Sequence, residues 1–290
     1  MNKAHKHATD LQDYSGKEIH ELIELALDVK KHPEKYSEAL KGKTLAMWFE
    51  KASLRTRVSF EAGMTQLGGH GIYLATSTTH MAKASLADEI KCLSRYADII
   101  CARTYSHDTI IEMAKHSTVP VINALSDKHH PCQALADCMT VLEKIPNPAN
   151  ATIAYVGDGN NVCNSLIIVA KKLGIKINVA TPKEYKPSVE PDLWTTNPKE
   201  AVENAQVVYT DVWVSMGEEA QKAEKTAKLK PYRVNSELIG NRYFMHCLPA
   251  ERGKEVTDNV IDSGNSIVFD QAENRLHVQK ALMLKLMQIK

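Results

Sequence analysis

A run of hydroxyl and guanidinium side chains follows the first apolar segment of the chain. Residues 53–57 read Ser-Leu-Arg-Thr-Arg and stand between the strand-like run 44–49 and a helix-like stretch that starts at Val58. Two guanidiniums, two hydroxyls and the first amides of a helix are groups that hold a phosphate dianion. The spacing therefore predicts a phosphate site at this turn.

Other polar side chains stand where further strand-like runs end. They are Arg103, His130, Gln133, Asn161, Asp211, Cys247 and Arg275. Ligands of open α/β sheets bind outside the carboxyl ends of the strands, so this shared position predicts one binding edge. Arg103 and His130 would complete a cationic pocket for a small dianion and a polarised carbonyl, while Asp211 would supply the counter-charge for an amine.

The elements that must position these residues are alternating strand-like and helix-like stretches. The strand-like runs cover 45–49, 71–75, 98–102, 119–124, 152–156, 176–180, 207–210, 243–247 and 266–269. Such alternation predicts an α/β fold of two domains, each a parallel sheet flanked by helices. The Pro- and Asn-rich segment 144–150 favours domains at 1–145 and 146–290. We also expect the C-terminal helix, 275–290, to pack back on the first domain, because it has more apolar positions than one exposed stripe needs.

Composition narrows the class of protein. The 290 residues suffice for two cores, and 36 basic against 35 acidic side chains do not favour a nucleic-acid partner. No apolar run reaches the roughly 20 residues of a membrane span, and residues 1–7 lack the apolar centre of a signal peptide. Six scattered cysteines without a Cys-x-x-Cys pair favour reduced thiols. We therefore expect a cytoplasmic protein with no membrane partner.

Two nucleotide-binding classes fit poorly. The loop Gly157-Asp158-Gly159 resembles the start of a dinucleotide fingerprint, but Val162 takes the place of the third glycine. No acidic residue closes the next strand, at 180–181, to hold a ribose. The turn at 53–57 also lacks the lysine and glycine spacing of a P-loop. A nicotinamide-dependent dehydrogenase and a nucleoside triphosphatase are therefore disfavoured.

Three motifs in this order resemble the carbamoyltransferases: Ser-x-Arg-Thr-Arg at 53–57, His-Pro-x-Gln at 130–133 and His-Cys-Leu-Pro at 246–249. The loop Asp-x-Trp-x-Ser-Met-Gly at 211–217 is similar to the amino-acid loop of the ornithine-specific members. The resemblance runs from about Gly16 to the C-terminus. The chain departs from the family pattern at Leu54, where the family usually has Thr, and at Ala84, where it usually has Glu.

The resemblance implies transfer of the carbamoyl group of carbamoyl phosphate to the δ-amine of L-ornithine, giving L-citrulline and phosphate. This is a reaction of arginine metabolism, amino-acid biosynthesis and the urea cycle, and it needs no cofactor and no metal. The resemblance further implies a homotrimer or a multiple of trimers. His80 would contribute to the site of a neighbouring subunit.

The resemblance also assigns residues to the two substrates. The carbamoyl phosphate residues would be Ser53, Leu54, Arg55, Thr56, Arg57, Arg103, His130, Gln133, Cys247, Leu248 and Arg275. Catalytic roles among them would fall to Arg103, His130, Gln133, Cys247 and Arg275. The ornithine residues would be Asn161, Asp211, Ser215 and Met216.

Sister activities and a protein of another class remain open alternatives. The sister activities use N-acetylornithine, putrescine or aspartate as the acceptor. Asp211 favours an acceptor with a free α-amine, since a carboxylate pairs with an ammonium but not with an amide. The alternative of another class is a non-catalytic protein that binds a phosphate ligand, which the presence of both His130 and Gln133 disfavours.

Overall fold

The computed structural model describes residues 6–76, 85–146, 148, 151–214 and 222–289. The described chain forms two compact units, one from 1–132 together with 275–290 and the other from 133–274. Each unit is built on its own sheet. The domain boundary between residues 145 and 146 stays a prediction. Two helices, at 131–144 and 268–286, carry the chain from one unit into the other.

The first unit contains a four-stranded parallel sheet in the order β2-β1-β3-β4. Its elements are α1 (Gly16–Lys31), β1 (Thr44–Phe49), α2 (Arg55–Gln66), β2 (His70–Ala75), α3 (Leu86–Leu93), β3 (Ile99–Arg103), α4 (His107–His116) and β4 (Val121–Leu125). Leu45 of β1 stands opposite Ile99 of β3. The strands β1, β3 and β4 are almost wholly buried and apolar, as parallel strands covered on both faces require. The edge strand β2 is only partly buried.

The second unit contains a five-stranded parallel sheet in the order β7-β6-β5-β8-β9. Its elements are α5 (Pro131–Lys144), β5 (Thr152–Val156), α6 (Asn161–Lys172), β6 (Lys176–Ala180), β7 (Leu193–Thr195), α7 (Pro198–Val202), β8 (Val207–Thr210), α8 (Lys222–Leu229), α9 (Ser236–Ile239), β9 (Tyr243–His246), α10 (Asp258–Ile261) and the start of α11 (Val268–Leu286). Both described sheets are parallel and helix-flanked, so the predicted fold class is confirmed.

The C-terminal part of α11 packs on the helices of the first unit, as predicted. A Cβ atom placed on Gly63 of α2 would lie 3.1 Å from the Lys280 side chain, so the two helices are in close contact. Lys280 donates to Gln66 at 3.1 Å. Lys285 forms an ion pair with Glu21 of α1 at 2.6 Å. Because the C-terminal part of α11 contacts both α1 and α2, it needs more apolar positions than a helix with one buried stripe.

Two strand predictions differ from the structure. The run 266–269 was expected to be a strand, but Ser266 makes only an isolated bridge with Phe244 and α11 begins at Val268. Helical hydrogen bonding from residue 268 therefore replaces further pairing. The strand β7 was not predicted, because three residues are too short to show a period-2 pattern.

In each sheet, the strand order contains one point at which successive connections run to opposite sides of a central strand. In the first sheet, β2 lies on one side of β1 and β3 on the other. In the second sheet, β6 and β8 flank β5 in the same way. Connections that leave in opposite directions open a crevice at the carboxyl ends of the central strands. The predicted turn at 53–57 follows β1, and the Gly157 loop follows β5.

Within the described residues, no helix is both long enough and apolar enough to cross a membrane.

The backbone is closely packed around Gly159, in the loop after β5. A Cβ atom on Gly159 would lie 2.3 Å from the Tyr185 carbonyl oxygen and 2.4 Å from the Pro187 nitrogen, both backbone atoms. We expect Gly159→Ala to lower the free energy of unfolding by about 1–3 kcal/mol, as overpacking does. Urea unfolding measures the change. The control is Gly264→Ala, whose new Cβ meets no described atom within 4 Å; an equal loss in both variants would show that the clash is not the cause.

Candidate active site

The turn after β1 is the start of a helix. The helix α2 begins at Arg55, three residues earlier than the sequence indicated, with Leu54 in the N-cap position. Ser53 accepts the backbone N–H of Thr56 on its Oγ at 3.3 Å. Residues 55–57 therefore form the first turn, whose amides carry the positive end of the helix dipole.

The side chains of this turn have three different environments. Thr56 is buried, and its Oγ1 accepts a hydrogen bond from Nη2 of Arg275 at 3.0 Å. Arg55 is exposed, as is Leu54. Arg57 is bound to Glu61 at 3.1 Å, and its guanidinium lies 3.8 Å from the centre of the Tyr73 ring. The Arg57 side chain therefore contacts its own helix and β2.

His130 is the centre of a buried cationic group. Burial holds its pKa well below the usual histidine value, and the charges of Arg275, Arg103 and Arg55 lower the pKa further. Arg103 ends β3 and Arg275 lies in α11, and both are about 95% buried, at 6% and 5% exposed. The structure thus brings four predicted residues from distant parts of the sequence together around a neutral imidazole.

In the second unit, Asp211 follows β8 and holds two other side chains. Cys247 donates its thiol hydrogen to Oδ1 at 2.9 Å, and Asn160 donates its amide to Oδ2 at 2.8 Å. Asp211 is only 5% exposed. Both donors are uncharged, so neither supplies a counter-charge to this buried side chain.

Asn160, which binds Asp211, was not among the site residues predicted from the sequence. Its Oδ1 caps α6 by accepting the N–H groups of Val162 and Cys163 at 3.0 and 3.2 Å. The predicted residue Asn161 is the first residue of the same helix. The preference for Asn at an N-cap was the available signal for the missed residue.

Gln133 is held by a buried carboxylate on its own helix. It donates to Asp137 Oδ1 at 2.7 Å, and Gln271 donates to the same oxygen at 2.6 Å. Gln271 in turn accepts the backbone N–H of His246 at 3.0 Å. Asp137 and Gln271 were not predicted. The only signal for Asp137 was the i,i+4 spacing from Gln133, and Gln271 had none.

The backbone after β9 is shaped by a buried His-Glu pair. The Leu248 N–H donates to Nδ1 of His246 at 2.8 Å, so Nε2 carries the proton and donates to Glu255 at 3.2 Å. Leu248 has a left-handed φ of 57°, which a leucine adopts only under constraint. This pair therefore fixes the direction of the Leu248 backbone beside Cys247.

Three predicted site residues lie outside the described residues. They are His80, Ser215 and Met216.

The protonation state of His130 can be tested directly. Because burial and the nearby arginines lower the pKa of His130, we expect the imidazole to stay neutral at pH values where an ordinary histidine, with a pKa of about 6.5, is already protonated. NMR of ring-labelled histidine, with the His130→Asn spectrum for assignment, measures this. A titration midpoint near 6.5 for His130 would contradict the geometry.

Two family models cover nearly the whole chain. Residues 6–143 match the carbamoyl-phosphate-binding domain and residues 149–286 match the Asp/Orn-binding domain of aspartate/ornithine carbamoyltransferase.

Curated relatives and solved structures agree with this match. The chain is 48% identical to the anabolic ornithine carbamoyltransferase of Pyrococcus furiosus over 96% of its own length and 95% of that protein. It is 46% identical to the ornithine carbamoyltransferase of Halalkalibacterium halodurans, over 96% of its length and 93% of that protein.

Among solved structures, the Pyrococcus furiosus ornithine carbamoyltransferase superimposes with a TM-score of 0.93 at 45% identity, and the match covers 99% of both chains. The anabolic enzyme of Campylobacter jejuni superimposes with a TM-score of 0.91 at 36% identity, over 98% of this chain and 100% of that one. Sequence and structure together establish that this chain belongs to the aspartate/ornithine carbamoyltransferase family.

Proposed function

We propose that this protein transfers the carbamoyl group of carbamoyl phosphate to the δ-amine of L-ornithine, with L-citrulline and phosphate as products. The observation that carries the substrate assignment is the buried Asp211 carboxylate, held by Asn160 and Cys247 at the end of β8. It occurs in a chain that is 46–48% identical to named ornithine carbamoyltransferases over nearly its full length.

The first unit would supply the residues that bind phosphate. The first turn of α2 offers backbone amides, Arg55 offers an exposed guanidinium, and Ser53 and Thr56 offer hydroxyls. A dianion is the ligand that such a set binds best, because charge-assisted hydrogen bonds are about twice as strong as neutral ones. Leu54 would contribute through its backbone, and Arg57 would act while bound to Glu61.

Arg103, Arg275 and His130 would act on the carbamoyl group. As the amine attacks the carbonyl carbon, negative charge grows on the carbonyl oxygen and the phosphate leaves. Fixed cations in a buried site stabilise that charge without having to reorganise. His130 would enter as a neutral hydrogen-bonding group, because the surrounding arginines and burial oppose its protonation.

Gln133 and the Leu248 backbone would hold the carbamoyl amide. Asp137 receives one amide hydrogen of Gln133 and so fixes its rotamer. The His246–Glu255 pair orients the Leu248 backbone. An amide group has both donors and acceptors, and these two rigid partners could match them. Orientation of this kind lowers the entropic part of the barrier.

The second unit would supply the residues that bind the amino acid. Asp211 would receive the α-ammonium of ornithine, and Asn161, with Ser215 and Met216, would contact the α-groups. Cys247 would lie beside the reacting δ-amine as a positioning group, with its thiol hydrogen donated to Asp211. The amine must be neutral to attack, although a free alkylamine has a pKa of about 10.4, so an apolar pocket near fixed cations would favour the reactive form.

The proposal extends to the cellular compartment and the oligomeric state of the protein. All six cysteines are free, which is typical of a reducing compartment, and we place the enzyme in the cytoplasm and in arginine metabolism. A homotrimer or a multiple of trimers, with His80 reaching a neighbouring site, rests on the family resemblance. Sedimentation equilibrium measures the number of subunits.

The phosphate half of the site is tested by Arg55→Ala. Loss of one charge-assisted contact to a transferring phosphate should lower kcat/KM for carbamoyl phosphate by at least about a hundredfold, equivalent to about 2.7 kcal/mol. Arg95→Ala, which removes an exposed arginine after α3, is the matched control and should keep its kcat/KM. Normal turnover in a folded Arg55→Ala enzyme would remove this residue from the phosphate site.

The acceptor is tested by comparing ornithine with N-acetylornithine, whose α-amine is converted into an amide. The unmodified enzyme should prefer ornithine over N-acetylornithine by orders of magnitude, because a buried carboxylate left without its cation is costly. Asp211→Asn should lower kcat/KM for ornithine by about a hundredfold and for N-acetylornithine much less. Asp13→Asn, at an exposed site, is the control. A parent enzyme that prefers putrescine or N-acetylornithine would have the corresponding sister activity instead.

A further inference from the structure

A cluster of side chains of the types that bind metals lies in the first unit, apart from the residues assigned to the two substrates. Asp10, His107 and His129 each place one ligand atom within 4.8 Å of the others. His107 begins α4, and His129 lies in the loop between β4 and α5. Asp10 belongs to the N-terminal segment, which pairs beside β4 through Ala8. Three separate stretches of chain therefore converge at one point.

The orientation of His107 is fixed by Ser126. Its Nδ1 lies 2.9 Å from the Ser126 Oγ, and its Nε2 lies 4.0 Å from Oδ2 of Asp10. When Nδ1 donates its hydrogen to Ser126, Nε2 presents a lone pair toward a carboxylate oxygen. In this tautomer the two facing acceptors repel each other unless a cation lies between them. A hydrogen bond to the second ring nitrogen is also the usual arrangement of a histidine that binds a metal.

His129 supplies an independent observation. It is only 7% exposed, and its Nδ1 has no hydrogen-bond partner among the residues that the structure describes. Its ring meets that of His107 edge to face, with the centres 4.9 Å apart. Buried polar atoms in folded proteins nearly always have a partner, so an imidazole with an unpartnered ring nitrogen in such a cluster indicates a ligand.

The donor set identifies the kind of ligand. Imidazole nitrogens suit zinc and disfavour magnesium and calcium, which prefer oxygen ligands throughout. Tetrahedral zinc with bonds of about 2.0–2.1 Å places its ligand atoms about 3.3 Å apart, so the cluster would have to contract slightly. Asp10 can make this adjustment because its side chain is 20% exposed, which also leaves room for water as a fourth ligand.

We propose that Asp10, His107 and His129 form a zinc site that fastens the N-terminal segment to the loop carrying His130. The segment is already held by two backbone hydrogen bonds, from Ala8 to Val121 and from Asn123 to Ala8, each of 2.8 Å. A metal bound to Asp10 and His129 would cross-link the N-terminal segment to the residue that directly precedes His130. The proposal does not depend on carbamoyl transfer.

The experiment is a zinc titration of the full chain after treatment with a chelator. It is done in the Cys247→Ser background, because Asp211, His246 and Cys247 form a second group that could take a metal. A chromophoric chelator reports zinc affinity and stoichiometry, and cobalt substitution reports coordination through its visible absorption. We expect one zinc per chain and cobalt bands of tetrahedral intensity.

Two variants and one control locate the metal. Asp10→Asn keeps the acceptor oxygen that the Gln12 N–H uses at 2.8 Å, so this variant is expected to fold, and it replaces a carboxylate with a weak ligand. Asp10→Asn and His129→Phe should each weaken zinc binding by at least tenfold. His116→Phe removes a histidine paired with Glu112 at 3.1 Å on the surface and should leave binding unchanged. Thermal unfolding in chelator checks that each variant is folded.

The proposal also predicts a zinc-dependent rise in the melting temperature that Asp10→Asn abolishes, because a ligand that binds only the folded state stabilises it. It is overturned if the parent binds no zinc more tightly than about 100 μM, a free energy too small for three protein ligands. It is overturned equally if Asp10→Asn and His129→Phe bind zinc as the parent does.

Discussion

The site depends on a constraint of parallel sheets: two neighbouring strands whose connections leave in opposite directions must leave a crevice at their carboxyl ends. This happens once in each sheet, between β1 and β3 and between β5 and β8. Arg103 ends β3, and the turn at 53–57 follows β1. Asp211 follows β8, and the Asn160 cap follows β5. The topology therefore sets where the polar residues stand before any of them contacts a ligand.

The electrostatics of the two crevices are opposite. In the first unit, buried guanidiniums surround His130 and keep it neutral. In the second, a buried carboxylate is held by an amide and a thiol, neither of which neutralises it. Buried charges are costly unless a counter-charge approaches. Under the proposed function, the first unit would bind an anionic substrate group and the second a cationic one.

Much of this could be predicted from the sequence, and the failures have physical reasons. Strand ends are visible because apolar runs stop there, which is how Arg103 and Asp211 were found. The strand expected at 266–269 proved to be the start of a helix, because a four-residue run with three apolar residues does not distinguish the two structures. Gln271 was missed because its partner Asp137 is 134 residues away and nothing local marks the pair. Local patterns predict positions, but they do not predict which distant side chains will meet.

The path of α11 has a consequence for synthesis of the chain. Residue 275 begins the part of this helix that belongs to the first unit, and Arg275 binds Thr56, which lies 219 residues earlier. The second unit is therefore an insertion within the first. On the ribosome, β1 to β4 emerge early, but residues 275–290, which pack on α1 and α2, emerge last. These residues also supply Arg275, one of the guanidiniums around His130. A chain truncated before α11 would contain every strand of both sheets and still lack part of its anion site.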